Sequence, residues 1–344
     1  MSKRIAVIGA GSFGTALSIS LASSGHKVSL WARREEAAEF MRRERHNETY
    51  LPDVKIPENV IVTSDLFSAA RDADIWLFAT PSHAVRPVAE SLRDLVHPEL
   101  LIVSVAKGIE NETLLTTSQV VQDVYPDFDP DRIAVLYGPS HAEEVGTGTP
   151  TAVVVASSSS TTASILQDTF MTPRLRVYAN NDVIGVEIAG SVKNILAIAA
   201  GMSEGVGYGD NAKAALITRG IAEIRRFGVA MGANPQTFSG LAGIGDLVVT
   251  CMSKHSRNRF LGEEIGKGKS LEQVQNEMQM VAEGVRTTRS VHDLALRIGV
   301  DMPITAAVYA ILFEGKKPEE AVKDLMERSA KTEEWLHEPQ DTVR

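Results

Sequence analysis

Cysteine is nearly absent: the 344-residue chain holds one, Cys251. That excludes an internal disulfide framework and a cysteine-built metal site, and it fits a reducing compartment, so a cytoplasmic location is expected. Positive charge is in deficit as well. With 35 Lys and Arg against 44 Asp and Glu, the formal net charge is -9, which argues against a general nucleic-acid binder and leaves any anionic ligand to local clusters of cations. Long uninterrupted apolar runs are missing too. The longest, Val183 to Ala200, is broken by Glu187 and Lys193, so no integral membrane segment is expected. The first strand begins almost at once and leaves no room for a signal peptide. The eight histidines show no metal-ligand spacing such as HxxxH or HExxH, so no metal is expected, and no internal repeat is evident.

What is present points to a nucleotide. Residues 4–17 place an apolar strand (Ile5, Ala6, Val7, Ile8) directly before GxGxxG at Gly9, Gly11 and Gly14, and an apolar helix face (Ala16, Leu17, Ile19, Leu21, Ala22) directly after it. In that setting Gly9 allows the tight turn, Gly11 lets backbone approach a pyrophosphate, and Gly14 lets helix and strand pack closely, with the anion on the helix N-terminus. Further apolar runs recur at 27–32, 60–63, 74–80, 100–106, 132–138, 151–156 and 175–178, several separated by helical patterns such as 84–95. This alternation predicts an α/β fold with a doubly wound, mostly parallel sheet, to which the later strands add an extension. From Asp182 onward 3.6-residue periodicity takes over, at 183–201, 212–231, 257–265, 271–278, 285–298, 304–313 and 318–328. The expected division is therefore a dinucleotide-binding domain over 1–180, an all-helical substrate domain over 181–330, and a loose tail over 331–344. The polar run Asn180-Asn181-Asp182 marks the boundary and can also cap the first of the long helices.

An NAD site ordinarily carries a carboxylate about 20 residues past the glycines, at the end of the second strand, to hold the ribose 2'-hydroxyl. Here that place reads Trp31-Ala32-Arg33-Arg34. Two guanidinium groups suit a 2'-phosphate, which favours NADPH while admitting NADH; the alternative is that they merely open a solvated helix with Glu35 and Glu36. Ligands of such sheets lie beyond the carboxyl ends of the strands, where Lys107-Gly108 and Gly138-Pro139-Ser140 fall. Ser140 with Glu143 also makes a capping box, so that segment has a purely structural reading too. In the helical half, Lys193 shares its helix face with Ala189, Gly190, Leu196 and Ala197. Desolvation there favours the neutral amine and moves its pKa toward the range of proton transfer; otherwise the lysine snorkels or neutralises an internal carboxylate such as Glu187. Ser256 reads as the N-cap of a helix whose first turn holds Arg257 and Arg259, an unfavourable place for cations that a bound phosphate would relieve. The stretch Leu241 to Asp246 reads as a tight glycine-rich loop, with Asp246 a partner for a lysine or a substrate hydroxyl.

Together, GAGSFG at 9–14, Asn47 to Pro52 with Ile56-Pro57, Ala106 to Glu110, Gly138-Pro139-Ser140, Ser191-Val192-Lys193-Asn194, Gly243 to Asp246 and Ser256-Arg257-Asn258 resemble NAD(P)-dependent glycerol-3-phosphate dehydrogenase of the bacterial type. The likeness runs in order from the first strand to about Phe313. It implies a Rossmann domain followed by an all-helical one, and interconversion of dihydroxyacetone phosphate and sn-glycerol 3-phosphate, usually toward the latter for phospholipid synthesis. It also implies cofactor contacts at Ser12, Phe13, Arg33, Arg34, Lys107, Ala142, Arg257, Val281 and Glu283. Substrate contacts are implied at Lys107, Gly138, Ser140, Lys193, Asp246, Ser256, Arg257 and Asn258, with Lys193 matching the proton-transfer residue. Phe13 stands where the family often has Trp or Tyr, and Ser140 where it often has Thr. Two rival readings are another two-domain 3-hydroxyacid or sugar-acid dehydrogenase, and a non-catalytic NADPH sensor. Surplus apolar helix faces in the second half would permit a homodimer.

Overall fold

The computed structural model describes residues 2–278 and 282–330. Strands buried on both faces need apolar residues at every position, and the N-terminal half supplies them. The strands are β1 (Arg4–Ile8), β2 (Lys27–Trp31), β3 (His46–Asn47), β4 (Leu51–Lys55), β5 (Val60–Thr63), β6 (Ile75–Phe78), β7 (Leu101–Ser104), β8 (Ile133–Tyr137), β9 (Thr151–Ala156) and β10 (Leu175–Asn180). Eight form one sheet in the order β10-β9-β8-β7-β6-β1-β2-β5, parallel except where β9 runs against β8. Alternate residues feed opposite faces: Ile5, Val7, Leu30, Ile75, Leu77 and Val103 on one, Ala6, Ile8, Trp76, Phe78 and Ile102 on the other. The doubly wound sheet and its extension by late strands match the expectation.

The helical half is built around helix Val183–Val206. Asp182 caps it, accepting from the Gly185 amide at 2.9 Å, and reaches the Asn234 amide and the Thr237 hydroxyl with its other oxygen. By length and composition alone this helix could cross a membrane, yet 83% of its most apolar window is buried inside the protein, so it is a core helix. Helix Arg257–Gly266 lies against it at backbone contact. A Cβ on Gly201 would stand 1.9 Å from the Arg259 carbonyl oxygen, and one on Gly262 would stand 2.0 Å from that of Ile198. Helices Asp210–Ala230, Leu271–Glu277, Glu283–Ile298, Pro303–Phe313 and Pro318–Met326 complete this half.

Two features depart from the sequence reading. Leu241–Gly245 is a wide helical turn, bent at Gly243, that runs straight into helix Asp246–Met252, where a free loop was expected. A Cβ at Gly243 would fall 2.0 Å from the Phe238 carbonyl, so the glycine permits a close crossing. The β3–β4 hairpin lacks strong periodicity and was not anticipated, whereas helix Glu35–Glu44 forms where the sequence allowed the alternative of a solvated helix opened by Arg33 and Arg34. The stretch 331–344, expected as a loose tail, lies outside the described residues.

Candidate active site

The glycine turn comes first. Gly9 has φ +124°, a conformation that side chains rarely adopt, and a Cβ there would meet the Ala79 carbonyl at 2.7 Å; a Cβ on Gly14 would meet the Gly9 carbonyl at 2.0 Å. At Gly11 a Cβ would meet nothing within 4 Å. Helix Ser12–Ser23 starts at Gly11 with no capping side chain, no acidic residue in its first turn and open space where a Gly11 side chain would stand, which fits the pyrophosphate of a dinucleotide. Asn47 fastens this turn to the hairpin by donating to Ala10 O (2.9 Å) and Thr15 Oγ1 (2.8 Å). Phe13 packs with Ala16, Leu51 and Ala142, which puts Ala142 beside the turn. Arg33 and Arg34 follow β2, exposed, and neither has an ion pair among the described residues. Arg34 precedes helix Glu35–Glu44, but Glu35 bonds Arg42 and Ser64 instead of the two arginines.

The chemical centre is a buried bridge of three charged residues. Asp246 Oδ1 lies 2.5 Å from Lys193 Nζ, and its Oδ2 lies 2.8 Å from Lys107 Nζ. Lys193 also donates to Thr250 Oγ1 at 2.6 Å, and Lys107 stands 3.5 Å from the Gly138 carbonyl with its ammonium 5.6 Å from the centre of the Tyr137 ring. Burial drives the Lys193 pKa down to about 7, Lys107 adds to that push, and Asp246 resists it. Burial works to raise the Asp246 pKa, but the two ammonium groups outweigh it and hold the carboxyl below its usual value. Gly138 has φ +142° and a Cβ there would meet the Val153 Cα at 2.9 Å, so the glycine lets the end of β8 pass close to β9. Ser140 donates to the Gly138 carbonyl (3.0 Å), and the helix that follows it, Ala142–Gly146, has no side-chain cap; the capping-box alternative is not formed.

The helix starts close the ring. Ser256 caps helix Arg257–Gly266, accepting from the Arg259 amide at 3.2 Å, which leaves its own proton to donate. Asn258 accepts from the Gly284 amide (2.9 Å), and the neighbouring Glu283 accepts from Ser82 (2.7 Å) at the end of β6, over Gly108. Arg257 is exposed at the helix start. Arg259 corrects the sequence argument. It is buried and forks onto Glu204 (2.8 Å), Glu263 (3.0 Å) and the Ser253 carbonyl (3.0 Å), so carboxylates relieve it without a bound anion. Glu187 is likewise no partner of Lys193: it accepts from Thr116 (2.7 Å), Thr117 (2.8 Å) and the Ser118 amide (2.8 Å). Val281 lies outside the described residues. Thr250, Tyr137, Ser82, His141 and His255 are additions. Thr250 is one helical turn past Asp246, a signal hidden while that segment read as a loop.

A glycine turn suited to a dinucleotide and a buried lysine poised near neutrality are the equipment of a nicotinamide-dependent dehydrogenase. The chain belongs to the NAD-dependent glycerol-3-phosphate dehydrogenase family, whose N-terminal model matches residues 4–163 and whose C-terminal model matches 182–323. It is 62% identical over 96% of its length, and 97% of the relative's, to "Glycerol-3-phosphate dehydrogenase [NAD(P)+] 1" of Salinibacter ruber. It is 55% identical over 96% of its length, and 99% of the relative's, to the glycerol-3-phosphate dehydrogenase [NAD(P)+] of Chlorobium phaeobacteroides. Its fold matches the crystal structure of glycerol-3-phosphate dehydrogenase from Coxiella burnetii with a TM-score of 0.91 and 39% identity, covering 95% of this chain and 99% of that one.

Proposed function

We propose that the chain reduces dihydroxyacetone phosphate to sn-glycerol 3-phosphate, reversibly, using NADPH or NADH, with Lys193 carrying the proton. The relatives' shared name supports the reaction and cofactors. The observation that supports the proton role is the buried Lys193–Asp246–Lys107 bridge beside Gly138 at the end of β8. Gly9, Gly11, Ser12, Phe13 and Gly14 hold the cofactor pyrophosphate, Arg33 and Arg34 its ribose end, and Ala142, Arg257, Val281 and Glu283 its remaining edge. When bound, the nicotinamide supplies the hydride. Lys193 gives its proton to the oxygen of the ketone as that oxygen becomes an alkoxide, and takes it back in reverse. Lys107 stabilises the developing negative charge and Asp246 fixes both ammonium groups in place. Gly138 and Ser140 line the substrate side, and Ser256, Arg257 and Asn258 hold the phosphate.

Division of labour between residues 1–180 and 181–330 follows from this assignment, with substrate caught between them. The product feeds glycerophospholipid synthesis in the cytoplasm, a setting that suits a buried thiol, Cys251, whose pKa burial pushes up to about 12. No nucleic acid is a partner of so acidic a chain. A second copy covers an apolar groove in the helical half, giving a homodimer.

Two substitutions test the roles separately. Lys193→Ala is expected to lower kcat by about 10²- to 10⁴-fold while NADPH still binds, the usual size of a general-acid contribution. Arg257→Ala is expected to raise KM for the phosphorylated substrate by tenfold or more, about one charge-assisted hydrogen bond. Normal turnover in the first, or an unchanged KM in the second, removes the corresponding role.

A further inference from the structure

His141 and His255 meet across the cleft. His141 follows Ser140 at the end of the sheet segment, and His255 precedes Ser256 and Arg257 at the helix start, so two residues that flank the proposed substrate contacts come from opposite halves of the molecule. Their ring centroids are 5.8 Å apart with the planes tilted by 50°, too open for stacking and without a hydrogen bond between them. His141 Nε2 is buried with no hydrogen-bond partner. A buried ring nitrogen without a partner costs free energy unless something fills the place, which a ligand oxygen would do.

We propose that His141 and His255 are substrate-binding residues that reach the phosphate of the ketone from the two sides of the cleft, one imidazole taking up a proton as the dianion enters. The inference rests on the phosphate role of Arg257 and extends it. Its physical basis is the surrounding charge. Burial first, then the Lys193 ammonium and His255, lower the His141 pKa, while Glu143 and Glu144 on its own short helix oppose them. In the free protein the imidazole is therefore held neutral. A phosphate dianion adds negative charge beside a cation-rich cluster and reverses the balance, so the proton that burial and Lys193 had kept off binds with the ligand. An enzyme using this device selects the dianionic phosphate over an uncharged carbonyl compound, because only the anion brings the proton with it.

The test uses sn-glycerol 3-phosphate binding to the full-length, NADPH-loaded protein, a complex that cannot turn over, by calorimetry at one pH in two buffers of different ionisation enthalpy. The wild type is expected to take up a measurable fraction of a proton. His141→Phe, which keeps a ring but removes both nitrogens, is expected to abolish the uptake and weaken binding by about tenfold or more, the size of a lost hydrogen bond to a charged group. In turnover the same variant is expected to show that loss chiefly in KM, with kcat at saturation falling less than about threefold by the same reasoning. His255→Gln, at an exposed position that tolerates substitution, is expected to reduce both uptake and affinity and guards against a folding failure of the first variant. Unchanged uptake and affinity in both variants overturns the proposal. Failure of the underlying reading appears elsewhere: Arg257→Ala with undiminished affinity removes the phosphate role of the helix start while the histidine comparison still reads out.

Discussion

Lys193 is controlled by three opposing influences: burial and the Lys107 ammonium remove its proton, and Asp246 keeps it. Their resultant, a pKa of about 7, sets the direction of the pH response. Ketone reduction needs the ammonium form, so kcat in that direction is expected to fall about tenfold per pH unit above the pKa, while alcohol oxidation, which needs the neutral amine, rises about tenfold per pH unit below the pKa and levels off above it. Rate measurements in both directions check this, and parallel profiles contradict it. The sign also reaches stability. An amine whose folded pKa lies below its unfolded value binds protons more weakly when folded, so this group's destabilisation is complete below about 7 and is relieved as pH rises toward the unfolded value of 10.5. The lysine itself was legible in the sequence, because Ala189, Gly190, Leu196 and Ala197 predict a dry helix face. Its carboxylate was harder to place. Asp246 is 53 residues away, and only the folded crossing of helix Asp246–Met252 with helix Val183–Val206 brings the two together. Arg259 misled for a similar reason, since Glu204 comes from the long helix, 55 residues earlier.

Elements matter here by how they are joined. The long helix carries Lys193, and Glu187, almost two turns earlier, ties that helix to the start of helix Thr117–Val124 through two threonine hydroxyls and the Ser118 hydroxyl and amide. Burial raises the Glu187 pKa and these donors work against it. Glu187→Ala leaves several buried donors without an acceptor and is expected to cost about 2–4 kcal/mol in urea unfolding, whereas Glu187→Gln, which keeps an acceptor oxygen, is expected to cost less than half as much. Equal losses contradict the hydrogen-bond account. A second carboxylate does the same for helix Pro303–Phe313, where Glu223 accepts from the Ile304 (2.9 Å) and Thr305 (2.8 Å) amides. Helices and strands with strong periodicity were readable from sequence, including a polar cap within Asn180-Asn181-Asp182, of which the structure uses Asp182. Short elements were not: β3 owes its form to the turn it packs against, and the bend at Gly243 depends on the Phe238 carbonyl beneath it.

At the scale of the whole molecule, the carboxyl ends of β7 and β8 and the helical half meet at Lys107 and Asp246, while a separate apolar groove opens along the C-terminal part of the long helix. That groove, a cavity of about 580 Å³, is lined by Leu216, Val308, Ile311, Leu325 and Met326 among others, and Met326 is 80% exposed. An apolar surface of this kind is what a second copy would cover, so sedimentation is expected to give the mass of a dimer, with Met326→Asp shifting it toward the monomer. A wild-type monomer at micromolar concentration removes that part of the proposal. The central claim, that this cleft reduces a phosphorylated ketone with a nicotinamide cofactor, is tested most directly by following NADPH and NADH oxidation with dihydroxyacetone phosphate beside unphosphorylated dihydroxyacetone. Rapid oxidation with the phosphate ester and almost none with the free triose is the expected result. Equal rates with both, or no oxidation with either, would contradict it.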